Sequence, residues 1–455
     1  MRKWLLLLIL ATGPLWADPQ VPPVYRGTDT AGPVSVGDFE WFKVFQDSQL
    51  QALVRTALQQ NPDLRTAMAR VEAAEANLGI THAKQSPDIT LTADYNSNGV
   101  TTNSPGFFKG LEPRTVTLGG LVLNLLSYEI DVWGRLRNQT NAARLQLVAS
   151  AADRQAVMSV VVSDVASDYF NLIEMDAELD IERRTLATRL DSLNIITARE
   201  QGGLATMLDV RQGQELVDQA QITMTQTQQH IEDAENNLEL LLGNPPAPVT
   251  RATLVAQTEP PEVPAGLPST LLFRRPDIRS AEANLEATRY LVKSARAAFL
   301  PEFSLTGFLG LQSSRLANLF TRGSYENGIN PTISGALSPR EALQANLALA
   351  RANQKVALIQ YEASVVTALH DVSNALVDHA AARELRTQQE ALVQTLQERS
   401  RLAYLRYNGG VDTLLNALDA DRDLFNAQLS AAQARRDELL TLVQLYRALG
   451  GGWQP

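Results

Sequence analysis

Residues 135–201 read RLRNQTNAARLQLVASAADRQAVMSVVVSDVASDYFNLIEMDAELDIERRTLATRLDSLNIITAREQ, a run of 67 residues with no glycine and no proline. Gly134 precedes it and Gly202-Gly203 ends it. Such a run is improbable at ordinary glycine and proline usage. At 1.5 Å per residue it makes one helix about 100 Å long, several times the usual globular length. The pattern recurs downstream, where residues 340–408 lack both breakers between Pro339 and Gly409-Gly410. Spacings of three and four link Ala142, Leu145, Ala149, Ala152, Ala156, Ser159, Ser163, Ala166, Phe170 and Ile173 in the first run. In the second they link Ala342, Ala345, Leu349, Ala352, Val356, Ile359, Ala363 and Val366. That heptad-like seam predicts left-handed coiled packing, and its small side chains predict close approach.

The surroundings of the two runs also match. After each glycine pair comes a second helical arm, 204–242 and 411–449, ending at Leu242-Gly243 and Leu449-Gly450. An offset of 207 places Gly202 on Gly409, Thr206 on Thr413, Leu208 on Leu415 and Gly243 on Gly450. An offset of 214 places Asn61-Pro62-Asp63-Leu64-Arg65 on Arg275-Pro276-Asp277-Ile278-Arg279, and Pro87 on Pro301. The chain is thus a duplication, with repeats at 61–243 and 275–450. Pro62 and Pro276 suit a first helical turn, and Pro87 and Pro301 a helix end. The remaining segments are 18–60, the proline-rich linker 244–274 and a tail at 451–455.

After Pro87 and Pro301 the period changes to two. Ile89, Leu91, Ala93 and Tyr95 alternate with Thr90, Thr92 and Asp94, and Phe303, Leu305 and Gly307 with Ser304 and Thr306. Return strands are expected near 115–126 and 327–337, where Ile329, Pro331, Ile333, Gly335 and Leu337 share a face. Hairpins are therefore expected at about 88–126 and 302–337. Strands of about ten residues can cross a bilayer when tilted, or can form a soluble sandwich hairpin. Four strands cannot close a membrane barrel, whose minimum is about eight. Membrane strands would have to be pooled, and three subunits would give twelve.

Residues 1–17 have the layout of a secretory signal: Arg2 and Lys3, the apolar run Trp4–Ala11, then Leu15-Trp16-Ala17. A short membrane anchor is the competing reading, but the run falls well below the roughly 20 residues of a spanning helix. No later segment reads as long and apolar enough to span as a helix. The net charge of -10 argues against nucleic acid, which requires a basic surface. With no cysteine there are no disulfides, thiolate nucleophiles or Cys-ligated metals. His82, His230, His370 and His379 are scattered along predicted helices without a partner at i+3 or i+4, which favours solvated positions over metal ligation. There is no phosphate loop, HExxH or Gly-x-Ser-x-Gly elbow, and charges on long helices are read as solvated faces. No catalytic set, cofactor or metal is expected.

PAGLPSTLLFRRPDI at 264–278 resembles the signature of the TolC/OprM-type outer-membrane factor family. Phe45, Asp47, Leu50, Leu53 and Asn61-Pro62-Asp63-Leu64 are similar to its N-terminal segment. Residues 128–135 (YEIDVWGR) resemble its strand-to-helix junction, and 414–428 (LLNALDADRDLFNAQ) its second tip helix. The resemblance implies a mainly α fold with a β-barrel part. A homotrimer pools four strands per subunit into a twelve-stranded barrel joined to a long α-helical barrel that crosses the periplasm. The proline-rich straps form a belt around the helical part.

The implied function is a passive outer-membrane exit duct for drugs or small toxic solutes in a Gram-negative bacterium, not an enzyme. Its partners are outer-membrane lipid, a periplasmic adaptor protein and an inner-membrane pump. Leu415, Asp419 and Arg422 match the family's pore constriction, and Tyr407 and Asp209 match positions that latch neighbouring tip helices. The tips themselves, Gly202, Gly203, Leu204, Gly409, Gly410 and Val411, are the expected adaptor-docking points. By spacing alone, Asp419 and Arg422 are an ordinary i,i+3 surface pair. A protein-secretion or metal-efflux duct of the same family, and a periplasmic coiled-coil scaffold without a pore, are the alternatives. A surface enzyme using a glutamate pair is disfavoured by the lack of a clustered acid/base motif. Two departures from the family stand out. Asp18 follows Ala17 where efflux members usually carry a lipidated Cys, so a cysteine lipid anchor is excluded for this sequence. Leu337-Ser338-Pro339-Arg340 stands where a Gly-rich turn is more usual.

Overall fold

The computed structural model describes residues 45–100, 114–257, 274–335 and 340–451. The expected signal at 1–17, the strap before residue 45, most of the linker and Leu337-Ser338-Pro339 lie outside the described residues. A short helix α1 (Ser48–Gln60) leads into α2 (Pro62–Ala83), β1 (Ile89–Val100), β2 (Arg114–Ile130), α3 (Arg135–Gln201) and α4 (Met207–Leu242). The same order then repeats as α5 (Pro276–Ala297), β3 (Glu302–Ser313), β4 (Tyr325–Ser334), α6 (Glu341–Asn408) and α7 (Leu414–Ala448). The described residues fall into two compact units.

One unit, residues 45–68, 152–257, 274–279 and 362–451, is helical. Phe45, Tyr169, Phe170 and Tyr446 are buried together, with ring centroids about 6 Å apart in tilted and edge-on arrangements. The Tyr169 hydroxyl donates to Asp47 Oδ2 at 2.6 Å and accepts the Ala252 N–H at 3.0 Å. Gln257 Nε2 also donates to Asp47 Oδ2, at 2.7 Å. Arg251 pairs with Asp176 (Nη2 to Oδ1, 2.9 Å) and with Glu235. These bonds tie residues 249–257 of the linker to α3, α4 and the start of the described chain. The Asn61-Pro62 motif is a cap: Asn61 Oδ1 accepts the Leu64 N–H at 2.9 Å, and its Nδ2 donates to the Leu241 carbonyl at 2.8 Å. Gly243 stands at φ 80°, and a Cβ there would lie 2.7 Å from the Gln60 carbonyl oxygen, so only glycine fits. Gly450, at φ 79°, sits likewise against Arg274, which makes the duplication visible in its closest contacts.

The other unit, residues 69–100, 114–151, 280–335 and 340–361, contains the sheet. Its four strands form an antiparallel meander in the order β1-β2-β3-β4. Paired residues share a side of a sheet, and the register places Leu91 opposite Leu123, Leu123 opposite Leu309, and Leu305 opposite Pro331. One face therefore carries Ile89, Leu91, Leu123, Leu309, Ile329 and Ile333, from 44% exposed at Leu123 to 77% at Ile329. The opposite face carries Thr90, Thr92, Asp94, Asn124, Ser304, Thr306 and Asn330, and Asn124 Nδ2 donates across strands to Thr92 Oγ1 at 3.1 Å. The described residues contain no second sheet to cover the apolar face.

Three readings of the sequence need correction, and a fourth, the pair of helical seams, divides by burial. Strand β2 runs beyond residue 126 to Ile130, because a bulge between Leu125 and Tyr128 absorbs one extra residue and lets pairing with β3 resume. Strand β4 ends at Ser334, and Pro331 lies in it on the edge of this four-stranded sheet, where proline is tolerated. The two helical seams differ: Ala142, Ala149, Ala152, Ser159, Ser163, Ala166, Phe170 and Ile173 are buried, whereas every named seam position of α6 is exposed. The buried stripe of α6 is instead Ala357, Val365, Ala368, Val372 and Ala375. Finally, α3 does contain a window apolar enough to span a membrane (mean hydropathy 1.3), more than half of it buried within the chain. Val161, Val165, Tyr169 and Leu172 explain it as core packing.

Candidate gate and docking tips

The two tips close by the same backbone device. The Gly203 N–H donates to Glu200 O at 2.9 Å and the Leu204 N–H to Arg199 O at 2.8 Å. Likewise Gly410 donates to Tyr407 O and Val411 to Arg406 O, both at 3.0 Å. Gly203 and Gly410 each stand at φ 70°, so these are left-handed helix ends that satisfy orphan carbonyls. In many such ends the following apolar residue packs back on the helix. Here Leu204 is 76% and Val411 69% exposed, so both expected docking residues project into solvent. Met207, Leu208 and Leu415 are exposed beside them.

The arms then restart under different caps. Thr206 Oγ1 accepts the Asp209 N–H at 3.2 Å while Asp209 Oδ2 accepts the Thr206 N–H at 2.7 Å, a reciprocal capping box. At the second tip Thr413 makes no side-chain cap. Asp412, just before it, instead accepts from the Thr413 N–H at 2.9 Å, Asn416 Nδ2 at 2.6 Å and Arg406 Nε at 3.1 Å. Those donors hold the Asp412 carboxyl below its ordinary range.

Just above the tips lies a small apolar cluster. Ile196, Leu414 and Leu418 are buried, with Val210, Leu216 and Tyr407 packed against them. Arg199 lies over the Tyr407 ring at 4.6 Å. Farther along α3, Arg189 is only 4% exposed. Its Nε is 3.0 Å from Asp421 Oδ2, its Nη1 donates to the Leu216 carbonyl at 3.1 Å, and its guanidinium lies 5.0 Å from the Phe425 ring centre. One side chain of α3 thus holds α4 and α7. Burial, then the facing Asp421 carboxylate, push the nearby Tyr404 phenol up.

This packing gives α7 two faces. Leu414, Ala417, Leu418, Asp421 and Phe425 are turned inward, while Leu415 and Arg422 are exposed and Asp419 is half-buried. Arg422 Nη2 is 3.1 Å from Asp419 Oδ1, the i,i+3 pair expected from spacing. Tyr407 and Asp209 are not joined: among the described residues no hydrogen bond links them, since Asp209 is occupied with Thr206 and Tyr407 with the cluster. The buried ionisable side chains of Arg189, Asp421, Glu174, Glu182 and Glu438 overturn the reading of such residues on the helices as solvated faces. His379 is another exception, half-buried with Nδ1 3.1 Å from Thr441 Oγ1 and held below its ordinary pKa by burial and Arg383. The capping box at Thr206-x-x-Asp209 was readable as a helix-start signal. Arg189–Asp421 had no local signal, because the partners are 232 residues apart. Among the described residues no three His, Cys, Asp or Glu side chains form a group that could hold a metal.

The same architecture is found in solved outer-membrane channels. The open-state MtrE channel of Neisseria gonorrhoeae superposes with a TM-score of 0.87 at 28% identity, covering 97% of this chain and 98% of that one. The channel OprN gives 0.86 at 29% identity, covering 96% and 100%. In sequence, the solvent efflux pump outer membrane protein SrpC of Pseudomonas putida is 36% identical over 410 residues, 90% of this chain and 86% of the relative. The outer membrane protein OprJ of Pseudomonas aeruginosa is 32% identical over 426 residues, 92% of this chain and 87% of the relative. The family pattern described as outer membrane efflux protein matches residues 53–244 and 267–451, both repeats in order. With strands, struts and tips matching along nearly its whole length, this chain belongs to the outer membrane efflux protein family.

Proposed function

We propose that three copies of this chain form the outer-membrane exit duct of a multi-component efflux pump, passively conducting small toxic solutes or drugs outward. The observation that carries the reading is the sheet: four strands, one exposed and mainly apolar face, and edges at β1 and β4 that pair with no other described strand. An uncovered apolar sheet with open edges is an aggregation hazard in water and a membrane wall once its edges are paired. Twelve residues of β3 rise about 40 Å, or about 30 Å at a usual barrel tilt, enough for the roughly 25 Å apolar band of outer-membrane barrels. Trp133, half-exposed, donates from Nε1 to the Pro301 carbonyl at 2.8 Å and stands 6.4 Å from Phe303, suiting one membrane interface. Relatives named for solvent and antibiotic efflux support apolar solutes and drugs as cargo.

In this reading residues 1–17 direct export. Leu415, Asp419 and Arg422 from three subunits ring the periplasmic mouth, where apolar side chains dewet and charged rings select. Tyr407 and Asp209 lie where subunits adjoin, and Gly202-Gly203-Leu204 and Gly409-Gly410-Val411 meet a periplasmic adaptor coupled to an inner-membrane pump. The purified protein should run as a heat-modifiable trimer from the outer-membrane fraction and conduct ions in planar bilayers. A soluble, non-conducting monomer overturns the reading. Changing Leu204→Asp together with Val411→Asp should abolish export while leaving the trimer intact; retained export removes the docking role.

A further inference from the structure

The connection between β3 and β4, residues 314–324, is at the end of the sheet away from α5 and α6. Asn318 organises it: its carbonyl accepts the Thr321 N–H at 3.0 Å, Thr321 Oγ1 at 2.7 Å and Ser324 Oγ at 2.6 Å. Two 3-10 turns, Leu316–Asn318 and Arg322–Ser324, and the buried Leu319 and Ser324 complete a self-bonded loop. Leu316 leans over Gly119 of β2, where a Cβ would lie 3.2 Å from its methyl carbon. A loop built in this way has the means to bury its apolar residues, yet Phe320 is 79% exposed, with Leu316 and Tyr325 exposed beside it.

The charge is as unusual as the exposure. In a chain of net charge -10, residues 313–325 hold two arginines and no acid. Arg315 and Arg322 are exposed, and among the described residues neither side chain makes an ion pair. At the opposite end of the strands Arg135 pairs with Glu129, and Arg137 with Asp131 at 3.3 Å. Guanidinium groups with no carboxylate partner among the described residues, set beside exposed aromatic and aliphatic side chains, match an amphiphile with a phosphate head and acyl tails.

Resting on the membrane reading above, we propose that loop 314–324 binds a phosphorylated lipid of the outer leaflet. Arg315 and Arg322 grip the headgroup phosphates, and Phe320 and Leu316 contact the acyl region. A basic residue at an anionic membrane surface contributes about a fivefold gain, so the two together give about thirtyfold.

The test is native mass spectrometry of the intact assembly in detergent, titrated with lipid A as a bis-phosphorylated lipid and, separately, with inorganic phosphate. The parent protein should retain the lipid, and the double variant R315Q/R322Q should bind it about thirtyfold more weakly. F320S should weaken binding without changing its salt dependence, and all variants should remain heat-stable trimers. Equal lipid binding by parent and R315Q/R322Q overturns the proposal. So does displacement of lipid by inorganic phosphate alone, which marks a free-anion site. A changed ion selectivity with unchanged lipid binding places the loop in the lumen and overturns it too, as does loss of the trimer. A conducting channel whose lipid binding ignores these substitutions removes only the loop's role, whereas absence of conductance removes the duct reading itself.

Discussion

At the scale of single residues, Arg189 shows what sets the orientation of α7. Its partner Asp421 is turned about 100–120° around the helix from Arg422 and Leu415, so the buried pair fixes which way the exposed face points. Removing one member of a buried pair leaves an uncompensated charge, a loss of about 3–5 kcal/mol. Arg189→Ala should lower the thermal midpoint measured by circular dichroism, and the exchanged pair R189D/D421R should recover part of it. Glu174 gives a pH effect. Burial first, then its neighbour Glu178, raise its pKa from 4.5 to about 8 against the pull of Arg436, which is 3.2 Å away. A carboxyl that holds its proton more tightly in the fold contributes most below pH 4.5, and stability falls as pH rises towards 8. Glu174→Gln should flatten that decline, making the variant the more stable protein at pH 8 to 9 by thermal denaturation. Neither residue was legible beforehand. Helical periodicity shows which face a side chain occupies, but a charge on that face looks the same whether water or a distant guanidinium meets it.

At the scale of elements the sequence was far more informative. Long runs without glycine or proline have few alternatives to a helix, and a glycine pair at the end of each marks the turn. Both struts and both tips accordingly end where the glycines stand. What escaped was geometry without a compositional mark: the bulge at Leu125–Tyr128, and the three residues by which each arm starts late. The first of those starts depends on a cap. Thr206→Ala should cost about 1 kcal/mol by removing the acceptor for the Asp209 N–H. At the second tip Thr413→Ala should cost much less, because the Thr413 side chain makes no cap bond there. Paired melting curves of the two variants measure the difference, and equal losses would show that the tips are capped alike.

At the scale of the whole molecule, the exposed seam of α6 is the largest remainder. Leu349, Val356, Ile359 and Val366 follow the coiled spacing read from the sequence and are left exposed by the described residues. In the trimer reading another subunit supplies it. Val356→Glu with Val366→Glu should therefore leave helix content unchanged but abolish the trimer on a non-denaturing gel. The sheet has a further consequence, in time. Its central ladder pairs β2 with β3, for example Gly119 with Ser313, so α3 and α4 must be synthesised before that pairing can begin. Until then β1 and β2 are an isolated hairpin, marginally stable in water and showing only half of the apolar face. Pairing across so large a sequence separation is slow. The full apolar face thus forms only once residue 334 of 455 has been made, and until then the unpaired hairpin is the part of the nascent chain most exposed to aggregation on its way to the membrane.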